Sequence, residues 1–382
     1  MTISPFVYGK IVDNQSFTNR EQEVAKLQSN LLQGIHTMII SPRRWGKSSL
    51  VEKVLATINL KHKQHKTVLI DLFTVGTEKD FLELFAREVL KASSGKWEER
   101  IRLAKDLFKT LVPKISLGAD PFTEFSISFD IEELKKNSDE ILNLPEKLAL
   151  KKGIKLIICL DEFQNLAYFP EYELLEKKMR AVWQRHKHVT YCLYGSKRHM
   201  METIFNDSSK PFYKFGDIMV LPKIEKQKWT DFIMESFERT GKKIDPETAD
   251  RIPKIMKNHS WYVQQLAHYV WNLTKTKATK VEFIRALAEV VTANTPLFQN
   301  EIESLSNTQV NILKAVAKNE TQLTSSQVMT TYELGTPNNV IKNKKTLADK
   351  DLILETENGY EFADPVFELW FRKQYFNTEF AV

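Results

Sequence analysis

Residues 35–49, Ile-His-Thr-Met-Ile-Ile-Ser-Pro-Arg-Arg-Trp-Gly-Lys-Ser-Ser, are the stretch on which the reading of this chain turns. The first seven are an apolar run of strand length. After a polar turn, Leu50, Val51, Val54, Leu55 and Ile58 recur at helical spacing. Strand, loop and helix in that order put residues 41–48 at a helix N-terminus, where free backbone N–H groups favour an anion. The loop compares with the pattern GxxxxGK[ST], in which backbone N–H groups cradle phosphates, the lysine reaches the β and γ phosphates and the hydroxyl ligates Mg²⁺. Gly46, Lys47 and Ser48 fill the last three positions, and Ser41 stands where the first glycine belongs. The implied ligand is ATP with Mg²⁺. Ser41, Pro42, Arg43, Arg44, Trp45, Gly46, Lys47, Ser48 and Ser49 are the binding candidates, with Ser48 also on the metal. The alternative is a basic surface loop before a helix.

Working outward, residues 67–73 (TVLIDLF), 154–160 (IKLIICL), 189–194 (VTYCLY) and 217–221 (DIMVL) are further strand-like runs. Helical patterns lie between them, through Phe81–Leu90 spacing and over residues 171–186. Continuous apolar strands alternating with helices predict an α/β fold whose parallel sheet is covered on both faces. The third run ends in Asp161-Glu162. A strand of this kind ends near the phosphate loop, where one carboxylate holds Mg²⁺ and the next polarises an attacking water. Asp161 takes the first role and Glu162 the second; a surface carboxylate is the alternative for Glu162.

Between the second and third core strands the pattern predicts an insertion near residues 95–130. It reads as a helix ending near Pro113, then a hairpin over residues 114–117 and 123–130 around a Gly-Ala-Asp-Pro turn, with Phe125, Ile127 and Phe129 alternating with Ser126 and Ser128. Beyond Pro222 the strand signals stop, and residues 225–296 read as three to five helices. From about residue 300, helices over 308–317, 325–332 and 337–350 and short strands around Asn358-Gly359 predict a winged helix. The domain boundaries expected are 1–222, 223–299 and 300–382.

Length and composition agree with two or three folded domains: 382 residues, 42% hydrophobic and 27% charged. Two cysteines, Cys159 and Cys192, both in apolar strands, exclude a disulfide framework. The N-terminal stretch has no basic segment followed by an apolar core, and no apolar run approaches the roughly 20 residues that span a bilayer, so a cytoplasmic location without membrane contact is expected. The His-rich run at residues 61–66, KHKQHK, reads as a solvated connection rather than a metal site. The net charge of +6 is uneven: residues 301–382 hold 8 Lys or Arg against 12 Asp or Glu. Asn338, Asn339, Lys342 and Lys345 could face a DNA groove. An acidic domain opposes phosphate binding, however, so a protein-docking or autoinhibitory role is preferred.

Asp161-Glu162-Phe163-Gln164, the Ser-Pro-Arg-Arg-x-Gly-Lys-Ser loop, Phe17-x-x-Arg20-x-x-Glu23 and Tyr194-Gly195-Ser196 together resemble the archaeal-type ATPases. That group belongs to the signal-transduction (STAND) ATPases, relatives of the AAA+ class. The resemblance covers nearly the whole chain and implies a P-loop core, a helical lid and a C-terminal winged helix. It implies that Ser196 senses the γ-phosphate, an alternative being a helix N-cap, and that Phe17 to Glu23, with Arg20, lies near the adenine. Asn258-His259-Ser260-Trp261-Tyr262 falls where the family carries a nucleotide-sensing Gly-x-Pro turn, and neither Gly nor Pro is present. Arg198 and Lys214 lie on the segment that relatives direct toward an adjoining protomer, which makes them candidates for the positive charge completing phosphoryl transfer. The expected function is a Mg²⁺- and ATP-dependent switch with an unidentified protein partner and nucleotide-dependent self-association. The alternatives are a non-hydrolysing scaffold and an ATP-controlled DNA-binding regulator.

Overall fold

The computed structural model describes residues 3–10, 19–93, 96–116 and 126–378. Phe17, Phe125 and the Gly-Ala-Asp-Pro turn lie outside the described residues. The chain divides into two compact units.

The first unit comprises the described residues within 20–43 and 47–222. In chain order it contains α1 (Glu21–Gln33), β1 (Thr37–Ile40), α2 (Lys47–Lys61), β2 (His65–Asp71), α3 (Glu78–Ser93), α4 (Trp97–Leu107), β3 (Lys114–Ser116), β4 (Ser126–Ser128), α5 (Ile131–Leu142), α6 (Leu144–Lys152), β5 (Lys155–Asp161), α7 (Tyr172–Trp183), β6 (Val189–Gly195), α8 (Arg198–Asn206) and β7 (Asp217–Val220). Five strands pair in parallel in the order β2-β5-β6-β1-β7. Every residue of β1 and β6 is buried. In β5, Leu156, Ile158 and Leu160 join the main apolar cluster while Ile157 and Cys159 are equally buried outside it. Successive side chains point to opposite faces, so both faces of the sheet are covered. Cys159 and Cys192 are neighbours in register, buried and free.

The predicted hairpin exists as the antiparallel pair β3–β4, with Ile115 opposite Ile127. The same connection also holds α5 and α6, two helices beyond the insertion expected near residues 95–130. Both helices start from recognisable signals. Asp130 caps α5 by accepting from the N–H groups of Glu132 and Glu133, and Pro145 occupies the first turn of α6. The KHKQHK run is not wholly a connection: its last two residues begin β2, and His65 is partly buried opposite Lys155.

Glu176 of α7 is 1% exposed, and burial pushes its carboxyl from 4.5 up to about 7. Between those two pH values the folded chain keeps a proton that the unfolded chain has released. Stability therefore falls as pH rises from 4.5 to about 7 and levels off above. Glu176→Gln is expected to flatten this part of the stability profile and to melt above the parent protein on the alkaline side. Thermal melts across that window check it, and an unchanged slope would count against a buried, protonated Glu176.

The second unit comprises, of the described residues, 3–10, 19, 44–46 and 223–378. It contains α9 (Lys226–Arg239), β8 (Lys243–Ile244), α10 (Pro246–Ile255), α11 (Ser260–Leu273), β9 (Lys277–Ala278), α12 (Lys280–Glu303), α13 (Asn307–Ala317), α14 (Ser326–Thr331), α15 (Pro337–Asp349), β10 (Ile353–Thr356), β11 (Gly359–Phe362) and α16 (Pro365–Phe376). The stretch after Pro222 is therefore not free of strands, since β8 and β9 form a two-residue parallel pair. No break falls at residue 300, because α12 continues to Glu303. Helices α13 to α15 followed by the antiparallel β10–β11 hairpin form the winged helix, and α16 packs on α12 through Phe298 and Phe367. Phe6 is buried against Phe232 and Phe237, so the N-terminal segment packs with this helical unit. Among the described residues no helix is long and apolar enough to cross a membrane.

Candidate nucleotide site

The loop is set by two left-handed residues, Arg44 (φ 64°) and Gly46 (φ 92°). A Cβ at Gly46 would meet open space, so glycine is required there for backbone conformation rather than for room. Ser41 is not among the residues with positive φ. This loop thus has no need of glycine at its first position, and serine fits there fully buried. Lys47 is 6% exposed, and its ammonium donates to the backbone carbonyls of Ser41 and Pro42, both at 3.0 Å. It is thereby held across the loop that its own helix begins. Pro42 is partly buried and Arg43 exposed, while Ser49 is buried in the first turn of α2.

Residues 44–46 belong to the second unit. Arg44 donates to the Tyr262 hydroxyl (3.2 Å) and stands 4.7 Å over the Trp261 ring, and Lys223 lies 5.5 Å from the Trp45 ring. Tyr262 in turn donates to Asp364, the residue that caps α16. Tyr262 and Trp261, two of the five residues standing where the resemblance puts a Gly-x-Pro turn, are therefore engaged with Arg44.

The strand order decides which side chains meet. Because β6 lies between β1 and β5, Ser196 emerges between the loop and the two carboxylates. Ser48 Oγ donates to Asp161 Oδ2 at 2.7 Å, and the Glu162 N–H donates to Asp161 Oδ1 at 2.7 Å. Burial raises the Asp161 carboxyl to about 6, against the opposing pull of the Ser48 and Glu162 donors. Glu162 is left-handed (φ 51°), a conformation costing roughly 1–2 kcal/mol for a residue with a Cβ. Its Oε2 accepts from Ser196 Oγ (2.8 Å), Ser196 N (3.4 Å) and Gln164 Nε2 (2.5 Å). The Ser196 side chain caps no helix: α8 begins at Arg198 with Lys197 at its cap and no side-chain capping bond. Gln164, the last residue of the Asp-Glu-Phe-Gln motif, thus joins this network.

The remaining candidates stand apart from this network. Arg20 is 4% exposed and paired with Glu23 at 2.9 Å, with burial lowering its pKa. Arg198 is 43% exposed and paired with Glu202 on its own helix. Lys214 is exposed, left-handed (φ 52°), and 5.2 Å from the Tyr213 ring.

Residues 17–258 match the family model described as an ATPase domain predominantly from Archaea, and residues 296–373 match a probable winged helix domain. No curated protein matches the chain. Among solved structures, the Walker-type ATPase of Pyrococcus abyssi superposes with a TM-score of 0.69 at 18% identity, covering 96% of this chain and 99% of that one. The ORC2 protein of Aeropyrum pernix, solved with ADPNP and ADP, gives 0.57 at 14% identity, covering 97% and 99%. At such identities these two share the fold. A parallel sheet carrying this loop, and a family match over well more than half of its length, lead to one conclusion: the chain belongs to the family of ATPase domains found predominantly in Archaea, with a winged helix domain at its C-terminal end.

Proposed function

We propose that this ATPase is a nucleotide-driven switch, in which binding and hydrolysis of ATP change the arrangement of a helical lid (α9 to α12) and the winged helix (α13 to β11) relative to the sheet-bearing core. The observation that carries the reading is the continuous chain of hydrogen bonds Ser48–Asp161–Glu162–Ser196, which links the loop, both strand-end carboxylates and the end of β6. Lys47 neutralises the phosphates. Ser196 leaves Glu162 to read the γ-phosphate. Glu162 takes a proton from water as the water oxygen bonds to the γ-phosphorus and the bond to the leaving ADP oxygen breaks. A hydroxyl and a carboxylate 2.7 Å apart are hard oxygen donors of the kind Mg²⁺ selects, so Ser48 and Asp161 fit the ion. When bound, Mg²⁺ supplies charge that stabilises the phosphates.

Phosphoryl transfer calls for further positive charge beside the γ-phosphate. Arg198 and Lys214 are suited to supply it across a self-association contact. An exposed i,i+4 pair such as Arg198–Glu202 is worth only about 0.3–0.5 kcal/mol, so the guanidinium is readily redirected. Specific activity is expected to rise with protein concentration. Arg198→Ala or Lys214→Ala should lower turnover while leaving ATP affinity nearly intact, and mixing either with Glu162→Gln subunits should restore part of the activity. Activity independent of concentration, with no rescue, would put the missing charge in the same chain or on a partner.

For the winged helix we favour docking of a protein. Asn338, Lys342 and Lys345 are exposed on α15 beside Ile341, whereas Asn339 is turned inward and donates to the Leu334 carbonyl. Two lysines beside an exposed apolar side chain, in a domain of net acidic charge, suit an acidic protein surface better than a phosphate backbone. Turnover measured with and without duplex DNA tests this: stimulation by DNA would transfer support to the regulator alternative, and absence of any turnover would support a non-hydrolysing scaffold.

A further inference from the structure

We infer that Gln164 is a positioning residue for Glu162, and that Gly195 is glycine in order to admit it. The inference rests on Glu162 being the water-activating group. Gln164 sits in the 3-10 turn Phe163–Tyr168 that follows the carboxylates and is 1% exposed. Its Nε2 donates to Glu162 Oε2 at 2.5 Å, the shortest of the three contacts on that oxygen. Its Oε1 is buried without a hydrogen-bond partner and faces Gly195. A Cβ at residue 195 would lie 1.8 Å from that Oε1 and 3.0 Å from Cδ. Gly195 is not among the residues with positive φ, so its backbone does not call for glycine; the carboxamide does.

Leaving a carbonyl oxygen buried and unpaired costs about 1–3 kcal/mol. The arrangement is therefore held in place for something other than economy of hydrogen bonding. A glutamate side chain has three rotatable bonds, and a general base acts only within hydrogen-bond reach of the proton it takes. With Oε2 anchored, Oε1, which accepts no hydrogen bond among the described residues, is the oxygen left to take it. Ser196 has a second task at the γ-phosphate. Once it moves there, Gln164 is the remaining side-chain donor that keeps the carboxylate aimed.

Gln164→Met keeps the length and bulk of the side chain but cannot donate. It is expected to lower kcat by roughly ten- to a hundredfold, within the ~10²-fold cost of misplacing a reacting group. Calorimetric affinity for a non-hydrolysable ATP analogue should stay within about twofold of wild type, as expected when an interaction serves the transition state alone. Gly195→Ala displaces the same carboxamide and should lose a comparable factor, and the double variant should be no worse than the poorer single, because both act on one contact. In the nucleotide-free protein, the fall in Tm caused by Gln164→Met should shrink when Glu162 is already Ala. A packing role would leave that fall unchanged and would leave the kcat of Gln164→Met at the wild-type value, and either result overturns the inference. Losses in the double variant that multiply overturn it as well. A wild-type rate in Glu162→Gln, by contrast, overturns the assignment of Glu162 on which the inference stands.

Discussion

Lys47→Ala loses measurable ATP affinity in calorimetry. Lys47 is 6% exposed, and its ammonium lies across the loop, 3.0 Å from two backbone carbonyls. Each hydrogen bond between a charged donor and a phosphate oxygen is worth about 1.5–3 kcal/mol. Contacts to two phosphates then amount to about 3–6 kcal/mol, or roughly 10²- to 10⁴-fold in Kd. Backbone N–H groups at the start of α2 remain, but their dipole contribution, about 0.3–1 kcal/mol, does not replace a full charge. The substitution also leaves the Ser41 and Pro42 carbonyls without this donor, so a thermal melt should accompany the titration to show that the variant is folded. Unchanged affinity in a folded variant would remove the loop from the nucleotide site.

Glu162→Gln keeps ATP bound and stops turnover. The amide preserves size, and the metal-side contact between Ser48 and Asp161 is untouched. What disappears is the ability to accept a proton, which is worth typically 10²–10⁴-fold. The expected pattern is an ATP affinity close to wild type with phosphate release reduced by at least about a hundredfold. Single-turnover measurement distinguishes slow chemistry from slow product release. Should turnover persist unchanged, Glu162 is a carboxylate that orders Ser196 and Gln164 without doing chemistry, and the water must be activated elsewhere.

Much of the site could be read from local signals, because its parts are local. The apolar run before Ser41, the helical spacing after Lys47 and the carboxylates closing the 154–160 run each lie within about ten residues, and strand-to-helix punctuation marks where they end. The hairpin around Asn358-Gly359 was legible for the same reason: a turn motif between two short apolar segments carries its own geometry. Helices α5 and α6 were missed although Asp130 and Pro145 announce them, and the short β8–β9 pair offers no local signal at all. The boundary expected at residue 300 falls inside the 24-residue α12, which continues through Pro296 to Glu303.

Local sequence thus determined that a candidate phosphate loop between strand and helix, a strand ending in two carboxylates and a winged helix are present. Only the tertiary structure decided how the loop and the carboxylates meet. Periodicity shows which face of a strand is buried but not which strand lies beside it, since parallel neighbours are joined by long crossovers and pair across wide sequence separations. The order β2-β5-β6-β1-β7 inserts β6 between loop and carboxylates and so brings Ser196 onto Glu162. The same placement makes Gly195 the floor under Gln164, a requirement for space that no reading of backbone preference reveals. Residues 3–10 join the helical unit because Phe6 finds an aromatic pocket between Phe232 and Phe237, more than 200 positions away in the chain. Contacts at that separation depend on side-chain burial in the folded state, and burial belongs to the three-dimensional arrangement rather than to any window of sequence.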